Sequence, residues 1–371
     1  MVVAGEVSGD MHAAAVIRSL RSRMPDLTVF GLGGDEMAAA GAELLHHVRD
    51  LSVMGLYEVL KRYGYFRRIF AEVLEAAERR RPDAVLLVDY PGFNLRLARR
   101  LRGRGPRLVY YVCPQVWAWK RGRIATMARD LDRLLTIFPF EARLFKGTGL
   151  AVDFVGHPLV DEAARALAAP PRDLPWCRGA RLALLPGSRR QELERILPPM
   201  VEAVRFLRER SEIAPVVATP NPEVAQAASE IMDGNGGALP VVVGQTREVL
   251  RQARAGLVTS GTATLEAALM DCPMVVAYRT SPLTYAAARR VVRVPHIGMV
   301  NLVAEREVCP ERIQDRCTGS ELSEAVAPLL EDGPAFAAMK SALADVRARL
   351  GEGGAADRAA ACLAEELERG P

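Results

Sequence analysis

The chain alternates short apolar runs with longer amphipathic stretches. Within the amphipathic stretches hydrophobic residues recur three and four positions apart, which predicts helices at Met11–Arg21, Phe66–Arg80 and Leu193–Arg208. The apolar runs predict strands at Val2–Ala4, Leu27–Phe30, Ala84–Asp89, Leu108–Cys113, Leu134–Phe138, Val152–Val155, Leu182–Leu185, Val216–Thr219, Val241–Val243, Gly256–Thr259 and Met274–Tyr278. Strands that are apolar on both faces and alternate with helices are typical of parallel sheets. Six strands followed by five more predict an α/β protein with two similar halves.

A proline-rich segment marks the boundary between the halves. Residues 169–175 contain three prolines and no apolar periodicity, which is typical of a linker. After Glu331 the pattern is helical only, and such a tail has to pack on a domain that is already formed. We therefore predict an N-terminal domain of residues 1–168, a second domain of residues 169–333, and C-terminal helices at 334–371.

Composition excludes several classes of protein. The 371 residues are 50% hydrophobic and 25% charged, as in a folded protein with two cores of ordinary size. No apolar run approaches the ~18 residues of a membrane-spanning helix, and the start of the chain lacks the basic region of a signal peptide. The six cysteines are scattered without a C-x-x-C pair, which is typical of reduced thiols in the cytoplasm.

The net charge of +4 hides an uneven distribution. Residues 1–170 carry 25 basic and 19 acidic side chains, a balance of +6, whereas residues 171–371 carry 24 and 26, a balance of −2. So small a total does not indicate a nucleic-acid partner. None of the four lysines follows a glycine, which excludes a Walker A loop, and no H-E-x-x-H motif or His/Cys cluster predicts a metal site.

Glycine-rich turns between strands and helices are candidate ligand sites, because ligands bind at the carboxyl ends of parallel strands and helix N-termini hold anions. The first turn, Gly5–Asp10, combines two glycines with the hydroxyl of Ser8 and two carboxylates, although Asp10 is also a candidate cap for the following helix. A second turn at Gly31–Gly34 resembles a dinucleotide-binding fingerprint. Its third glycine position is Glu36, so a nicotinamide or flavin enzyme finds little support.

Two further turns lie in the second half of the chain. At Gly187–Arg189 the glycine permits close backbone approach, and Arg189 can clamp a phosphate through its planar guanidinium. At Ser260–Thr262 small hydroxyl residues precede a helix, and Glu266 follows one turn later, where it can accept hydrogen bonds from ribose. The alternative for each turn is a capped helix without a ligand, and finding two in one sheet favours a nucleotide site.

An acidic residue ends the predicted strand Ala84–Asp89. Apolar residues precede Asp89, so its carboxylate is expected to face the cleft, where burial raises its pKa and suits it to act as a general base. A helix cap or a structural hydrogen bond is the alternative. His12 is a second candidate base that ranks below Asp89, and His157 is typical of a hydrogen-bonded structural histidine.

Aromatic and basic residues follow the next strand. Trp117 and Trp119 precede Lys120, Arg121 and Arg123. Aromatic rings beside cations can stack on a sugar or line a wall for an acidic lipid. Packing of the tryptophans explains the pattern equally well.

Residues 51–68 predict a membrane-binding surface. Their apolar positions are too many for one narrow buried stripe, and cations cluster towards the end of the segment. A short basic helix with apolar and aromatic side chains is typical of binding to anionic lipid, and a core helix with extended arginines is the alternative. The apolar residues of this surface are Val53, Met54, Leu56, Val59, Leu60, Tyr63 and Phe66.

The joint order of these motifs resembles the lipid-A-disaccharide synthase family, which comprises glycosyltransferases of family 19 and of the GT-B type. The resemblance runs from A-G-E-V-S-G-D near residue 4 to N-L-V-A at residues 301–304. The stretches between them are V-M-G-L-Y-E-V-L, D-Y-P-G-F-N, Y-Y-V-C-P-Q-V-W-A-W, F-P-F-E, F-V-G-H-P-L, L-L-P-G-S-R and T-S-G-T-A-T-L-E. The resemblance implies two Rossmann-like parallel-sheet domains that face a cleft, with C-terminal helices packing back on the N-terminal domain or on a partner.

The family joins UDP-2,3-diacylglucosamine to 2,3-diacylglucosamine 1-phosphate, which gives a β-1,6 disaccharide and UDP in lipid A synthesis. The resemblance implies inverting chemistry without a required metal or cofactor and a peripheral position on the cytoplasmic face of the inner membrane. It also implies contact with an anionic membrane surface, no nucleic-acid partner, and a homodimer with exchanged C-terminal parts as one arrangement.

The resemblance also implies roles for individual residues. Asp89 and Glu6 are the candidate catalytic residues, with Asp89 deprotonating the acceptor 6-hydroxyl and Glu6 lining the acceptor side. The implied acceptor contacts are Ser8, Gly9, Arg121 and Arg123. The implied donor contacts are Gly187, Ser188, Arg189, Ser260, Gly261, Thr262, Glu266 and Asn301.

Two other functions stay open at this point. One is another GT-B-like UDP-sugar enzyme, either a lipid-linked N-acetylglucosaminyl transferase or a UDP-N-acetylglucosamine 2-epimerase, of which the epimerase needs no lipid. The other is a non-catalytic lipid-binding or scaffold protein that keeps the fold. A protein that had lost its catalytic activity would not be expected to keep the candidate site residues Asp89, Arg189 and Glu266, so their presence argues against this alternative.

Overall fold

The computed structural model describes residues 1–51, 63–234, 237–292 and 294–370. The strands are β1 Val2–Ala4, β2 Phe30–Gly33, β3 Glu43–His47, β4 Ala84–Val88, β5 Arg107–Tyr111, β6 Arg133–Thr136, β7 Ala151–Phe154, β8 Ala180–Leu185, β9 Ile213–Thr219, β10 Val241–Val243, β11 Ala255–Thr259, β12 Met274–Tyr278 and β13 Glu311–Ile313. The helices are α1 Val7–Arg23, α2 Asp35–Ala39, α3 Val48–Leu51, α4 Tyr63–Arg80, α5 Pro91–Leu101, α6 Arg123–Asp130, α7 Pro139–Leu144, α8 Leu159–Ala168, α9 Arg190–Arg208, α10 Pro222–Gly234, α11 Thr246–Gln252, α12 Ala263–Leu269, α13 Pro282–Val291, α14 Met299–Ala304, α15 Gly319–Leu330, α16 Pro334–Arg349 and α17 Ala355–Glu368. Within these ranges no helix has the length and apolarity needed to cross a bilayer.

The chain divides into two compact units, and the first consists of Met1–Pro158 and Glu352–Pro371. Its described strands form a parallel sheet in the order β3-β2-β1-β4-β5-β6-β7, with Val2 paired to Leu86 and Val3 to Leu87. All of β4 is buried, which explains its uninterrupted apolar sequence. Strand β1 lies inside the sheet, with β2 and β3 on one side of it and β4 to β7 on the other. The strand order therefore reverses between β1 and β4, and a crevice is expected between their carboxyl ends.

The last helix, α17, completes the first unit by packing on α1, β4 and β5. The Ser19 hydroxyl donates to Asp357 at 2.5 Å. The buried guanidinium of Arg133, on β6, pairs with Glu365 at 2.7 Å and with Glu366 at 3.4 Å. Of the predicted C-terminal helices, α17 thus packs within the first unit.

The second unit is the continuous segment Leu159–Gly351. Its described strands form a parallel sheet in the order β10-β9-β8-β11-β12-β13. Its first strand, β8, also lies inside the sheet, and the strand order reverses between β8 and β11. The crevice of this unit is therefore expected between the carboxyl ends of β8 and β11. The α/β class with two parallel sheets, predicted from the apolar pattern, is confirmed.

The division between the units differs from the predicted boundary at residues 168 and 169. Helix α8 belongs to the second unit because its side chains and carbonyls are tied to α11. Glu162 pairs with Arg247, and the Arg251 guanidinium donates to the carbonyls of Ala166 and Ala169 at 3.2 and 2.8 Å. Helix α16, predicted as part of a separate tail, also lies in the second unit.

Three strands depart from the prediction. Strand β2 lies at Phe30–Gly33 rather than Leu27–Phe30. Strands β3 and β13 were not predicted, because they are short edge strands whose sequences, E-L-L-H-H and E-R-I, lack an apolar run. Edge strands bury less surface than central ones, so their sequences carry a weaker apolar signal.

Candidate active site

The turns after β1 and β4 form the candidate site of the first unit. Asp89 and Tyr90 both have left-handed backbone conformations, with φ of 46° and 47°. Such conformations persist in non-glycine residues only where the surroundings hold them. Here the Asp89 N–H donates to the Tyr111 carbonyl at 2.9 Å. The Asp89 carbonyl accepts from the Tyr110 hydroxyl at 2.5 Å and from the Asn94 amide at 2.8 Å, so three hydrogen bonds fix this backbone.

The half-buried carboxyl of Asp89 has its pKa raised to about 6. Burial is the largest cause and the charge of Glu6 adds to it, whereas a hydrogen bond from the Tyr90 N–H lowers the pKa. A group that titrates near neutral pH is well matched to general-base catalysis. Burial likewise raises the pKa of Tyr110, so its hydroxyl stays protonated and able to donate.

The turn after β1 lies against the end of β4. An added Cβ at Gly5 would overlap the ring of Tyr90, so only glycine lets the two turns pack this closely. Helix α1 begins at Val7, earlier than predicted, and its first turn holds the exposed Ser8 and the buried Gly9. Glu6 is exposed just before this helix. Gly5 is thus packed against Tyr90, and Glu6 lies close enough for its charge to act on Asp89.

Asp10 has a structural role in another element. Its buried carboxylate accepts hydrogen bonds from the backbone N–H groups of Gly34, Glu36 and Met37, at 2.6, 3.1 and 3.1 Å. These groups belong to the start of α2, so Asp10 caps α2 and not its own helix. The glycine-rich segment before α2 serves this contact, and the dinucleotide-like pattern there has a structural explanation.

Trp117 is buried in an aromatic cluster. Its indole N–H donates to Glu141 at 3.2 Å, and Glu141 also accepts from the Phe138 N–H at 3.2 Å. The Phe140 ring meets Trp117 edge-on, with centroids 5.6 Å apart. Burial raises the pKa of Glu141 to about 8, although its hydrogen bonds oppose the rise. Trp117 is therefore a packing residue fixed by the motif F-P-F-E.

Trp119 is 40% exposed and carries cations on its ring. Lys120 lies 4.3 Å and Arg123 5.5 Å from the ring centroid. Arg121, next in the sequence after Lys120, is exposed. The predicted combination of an aromatic face with cations is thus present at Trp119 and absent at Trp117.

His157 is buried beside Phe138, with ring centroids 5.1 Å apart. Burial, aided by His12, lowers its pKa to about 3. The imidazole ring of His157 is therefore neutral at physiological pH, so it cannot act as a general acid in its imidazolium form. The interpretation of His157 as structural fits this environment.

In the second unit the backbone N–H groups of the turn after β8 bind a carboxylate of the same chain, that of Glu192. Gly187 has φ of 123°, and an added Cβ there would meet the carboxylate of Glu192 at 2.5 Å. That carboxylate accepts from the N–H groups of Ser188 and Arg189 at 3.0 and 3.3 Å. These amides, predicted to hold phosphate, therefore bind Glu192 in this structure. The Arg189 guanidinium is 76% exposed and 3.3 Å from Glu192.

The turn after β11 is more open. Apart from its chain neighbours, no heavy atom of the described residues lies within 4 Å of the position that a Cβ on Gly261 would occupy, and Gly261 has φ of 143°. The Ser260 hydroxyl donates to the Ile297 carbonyl at 2.8 Å, and Thr262 is the cap residue of α12. Backbone space is thus available at Gly261, whereas Ser260 is used within the unit.

Glu266 lies between two charged neighbours. Its carboxylate is 3.0 Å from the guanidinium of Arg247, which also pairs with Glu162. Burial raises the pKa of Glu266, the charge of Arg247 lowers it, and Glu162 raises it again. Arg247 therefore favours the ionised form of Glu266, which accepts hydrogen bonds and donates none.

Asn301 is buried and makes its hydrogen bonds inside the second unit. Its amide donates to the Cys309 carbonyl at 2.8 Å and to Glu311 at 2.9 Å, and its oxygen accepts from the N–H groups of Val308 and Cys309. Two donors and two lone pairs are thus all used. Glu311 in turn accepts from the Gly298 N–H at 2.9 Å. In this structure Asn301 shapes the neighbouring loop, and its role as a donor contact stays a prediction.

Most of the predicted membrane surface lies outside the described residues. This holds for Val53, Met54, Leu56, Val59 and Leu60, and for the side chain of Tyr63. Phe66 is half-buried and packs against the core of the first unit.

Several residues that act on the site were not predicted. Asn94 and Glu141 end the motifs D-Y-P-G-F-N and F-P-F-E, so the motifs contained them without revealing their partners. Glu192 stands three residues after the helix cap, a spacing typical of a capping box. Tyr110 and Arg247 act across strands and helices, and no local pattern indicates such contacts.

Comparison with known proteins places these sites in a family. A family model described as lipid-A-disaccharide synthetase matches residues 1–366. The lipid-A-disaccharide synthase of Myxococcus xanthus (strain DK1622) is 42% identical over 379 aligned residues, which cover 100% of this chain and 98% of that protein. That of Geobacter sulfurreducens is 39% identical, with 99% of this chain and 97% of that protein covered.

Solved structures of low sequence identity share the fold. The UDP-GlcNAc 2-epimerase of Methanocaldococcus jannaschii, in complex with UDP-GlcNAc and UDP, gives a TM-score of 0.62 at 13% identity, covering 98% of this chain and 99% of that chain. The calicheamicin glycosyltransferase CalG4 gives 0.59 at 19% identity, covering 99% and 97%. These likenesses show a two-domain α/β fold of the GT-B type. By its sequence over nearly the whole length, the chain belongs to the lipid-A-disaccharide synthetase family.

Proposed function

We propose that the protein is a lipid-A-disaccharide synthase that transfers the sugar of UDP-2,3-diacylglucosamine to 2,3-diacylglucosamine 1-phosphate. The observation that carries the mechanism is the fixed, half-buried Asp89 with a pKa of about 6. Its carboxylate takes the proton of the acceptor 6-hydroxyl as that oxygen bonds to the anomeric carbon of the donor. The bond from that carbon to the UDP oxygen breaks on the opposite side, which inverts the configuration and releases UDP.

The second unit is proposed to bind the donor. The exposed guanidinium of Arg189 is suited to stabilise the negative charge that develops on UDP, since Arg forms paired hydrogen bonds to phosphate. Gly261 and Thr262 offer open backbone at the neighbouring turn. Glu266, which pairs with Arg247 at 3.0 Å, is suited to accept from the ribose hydroxyls. Asn301 supports this donor site through the loop that Glu311 binds.

The first unit is proposed to bind the acceptor and the membrane. Glu6, whose charge acts on Asp89, and Ser8 and Gly9 in the first turn of α1 are proposed to line the acceptor side. Arg123 and Arg121, beside the exposed ring of Trp119, are candidates for the acceptor phosphate. Residues 51–68 are proposed to contact anionic lipid on the cytoplasmic face of the inner membrane. In this structure α17 packs on α1 of its own chain. A homodimer with exchanged C-terminal parts would therefore require α17 to leave α1 and to pack on the partner.

The reaction is tested by mass spectrometry of the products formed from UDP-diacylglucosamine and diacylglucosamine 1-phosphate. We expect a disaccharide 1-phosphate together with UDP. Folded protein that yields no disaccharide would refute the proposal and favour a non-catalytic lipid-binding role. Conversion of soluble UDP-N-acetylglucosamine alone would instead indicate an epimerase.

The role of Asp89 is tested by the variant Asp89→Asn. Loss of a general base is expected to lower kcat by about 10²- to 10⁴-fold with little change in donor binding. Asp83→Asn, at the opposite end of β4 and exposed, is the matched control and should keep full activity. Equal losses in turnover and in UDP-sugar binding would contradict the assignment of Asp89 as the base.

A further inference from the structure

The turn after β12 carries an exposed arginine, Arg279, beside the turn proposed to bind the donor. Strand β12 lies next to β11, and Thr259 pairs with Ala277 at the ends of these strands. The Ser260 N–H donates to the Ala277 carbonyl at 3.1 Å, which extends the parallel pairing by one residue. The backbone of Arg279 is therefore expected level with that of Gly261, about one strand spacing of ~4.8 Å away.

The positive charge of Arg279 is not neutralised by a carboxylate. No acidic side chain of the described residues forms an ion pair with Arg279. Burial raises the pKa of the Cys317 thiol to about 11, although the charge of Arg279 lowers it. This thiol is therefore uncharged at physiological pH and provides no counter-ion. Arg279 thus keeps its full charge at the carboxyl end of the sheet.

The turn after β8 offers less net positive charge than its sequence predicts. Glu192 accepts from the N–H groups of Ser188 and Arg189, and it also lies 3.3 Å from the Arg189 guanidinium. A phosphate at that turn therefore meets a carboxylate as well as a cation, and two negative charges repel each other. Both phosphates of a UDP-sugar are negatively charged, so a second cation without a carboxylate partner is favoured at this site.

The backbone that follows Arg279 is held by Gln314. The Thr280 N–H donates to the Gln314 side-chain oxygen at 2.7 Å, and the Gln314 amide donates to the Thr280 carbonyl at 3.2 Å. One side chain thus binds both backbone groups of Thr280. Gln314 follows β13, is 9% exposed, and has a left-handed backbone conformation with φ of 53°. Such conformations are costly in non-glycine residues and cluster at binding sites.

We propose that Arg279 is a second cation of the donor site, which binds the diphosphate of the UDP-sugar, and that Gln314 is its positioning residue. The planar guanidinium of Arg279 donates to the diphosphate oxygens beside the open backbone of Gly261. Its charge also stabilises the UDP that leaves. The identity of the ligand as a nucleoside diphosphate rests on the proposed function.

Binding of UDP, compared with uridine, tests the role of Arg279, because uridine lacks both phosphates. Arg279→Gln should weaken UDP binding about 10- to 100-fold in a calorimetric titration, since a hydrogen bond between charged groups is lost. Uridine binding, followed by NMR titration, should change little. Arg208→Gln, at an exposed arginine in the last turn of α9, makes the same change in net charge and should bind UDP like the wild type.

Unchanged UDP binding by Arg279→Gln would overturn the proposal. Equal losses of UDP and uridine binding would overturn it too, since the variant would then have disturbed the whole site. A wild type that binds no UDP would likewise refute the inference. A wild type that binds UDP but forms no disaccharide would refute only the proposed reaction.

The positioning role of Gln314 is tested by combining Gln314→Met with Arg279→Gln. Methionine has a similar length and no amide, so Gln314→Met should weaken UDP binding several-fold while uridine binding stays. If Gln314 acts through Arg279, the double variant should bind UDP no more weakly than Arg279→Gln alone. Additive losses would show that Gln314 acts by another route.

Discussion

At the scale of single residues, Asp89 depends on neighbours from β5, α5 and the turn after β1. Tyr110 and Asn94 bind its carbonyl and Tyr111 accepts from its N–H, so the side chain leaves the backbone in one direction. Burial and the charge of Glu6 then set its pKa. The backbone position of Asp89 and the pKa of its carboxyl are thus controlled by different groups, so a mutation can change one without changing the other.

The pH dependence of activity should separate these effects. Because the base acts in its ionised form, kcat/KM of the wild type should fall as the pH drops below about 6. Glu6→Gln removes a negative charge that raises the pKa of Asp89, so the acidic limb should move to lower pH. Glu75→Gln, exposed on α4, should leave the limb in place. An acidic limb that Glu6→Gln does not move would show that Glu6 does not act on the base.

Arg247 offers a second residue-scale test, through its contact with Glu266. Arg247→Met removes the charge that lowers the pKa of Glu266, so the KM for the UDP-sugar should rise about tenfold, and more at low pH, with kcat little changed. Arg251→Met is the matched control, because Arg251 also joins α11 to α8 but binds only carbonyls there. The same rise in both variants would indicate that α8 has detached and that Glu266 is not involved.

At the scale of elements, the contact between Asp10 and α2 joins the first helix to the β2–β3 connection. Three backbone N–H groups lose their acceptor in Asp10→Ala, and buried donors without a partner are costly. The free energy of unfolding of the first unit should fall by about 2 kcal/mol in a denaturant titration. Asp26→Ala, at an exposed position, is the control and should change it by less than about 0.5 kcal/mol.

Central elements were predictable from the sequence because both of their faces are covered. Strand β4 is buried throughout, and its apolar run predicted it nearly to the residue. Strand β3, at the edge of the sheet, is only partly buried, so no apolar run marks it. The start of α1 was missed because its first turn contains Ser8, Gly9 and Asp10, which read as a loop and cap when their partners in α2 are unknown.

The candidate site was predictable in its position and only partly in its interactions. Strand ends and glycine-rich turns identified Asp89 and Gly187 because chain order alone places them at the carboxyl edges of the sheets. Arg247, the partner of Glu266, comes from another helix, and a single sequence carries no record of that contact. The partners of Asn301 and Glu192 are close in the sequence, but which loop atoms Asn301 binds is seen only in the folded chain, whereas the spacing of Glu192 from Arg189 is a readable capping-box signal.

At the scale of the molecule, Arg133 connects the end of the chain to the first sheet. Its buried guanidinium pairs with Asp153 at 2.7 Å and with Glu365 and Glu366 on α17. Arg133→Met removes the ion pairs with Asp153 and Glu365 and one of the two cationic partners of the buried Glu366, which keeps Arg369 at 2.7 Å. Loss of hydrogen bonds to charged groups is expected to cost about 2 kcal/mol. We expect the unfolding transition of the first unit to move to lower denaturant while that of the second stays. Arg107→Met, at a half-exposed arginine on β5, should have a smaller effect. A shift of both transitions would contradict the assignment of α17 to the first unit.

The return of the chain to the first unit sets an order for folding during synthesis. The second unit, Leu159–Gly351, is continuous and is complete before α17 emerges from the ribosome. Domains fold as units from the amino end while translation proceeds, but here the first unit also needs α17, which is made after the whole second unit. The surfaces of α1, β4 and β5 that α17 covers stay uncovered until α17 emerges, so the second unit is expected to reach its native state first. Nascent chains stopped before Ala355 should therefore contain a protease-resistant second unit and a protease-sensitive first one.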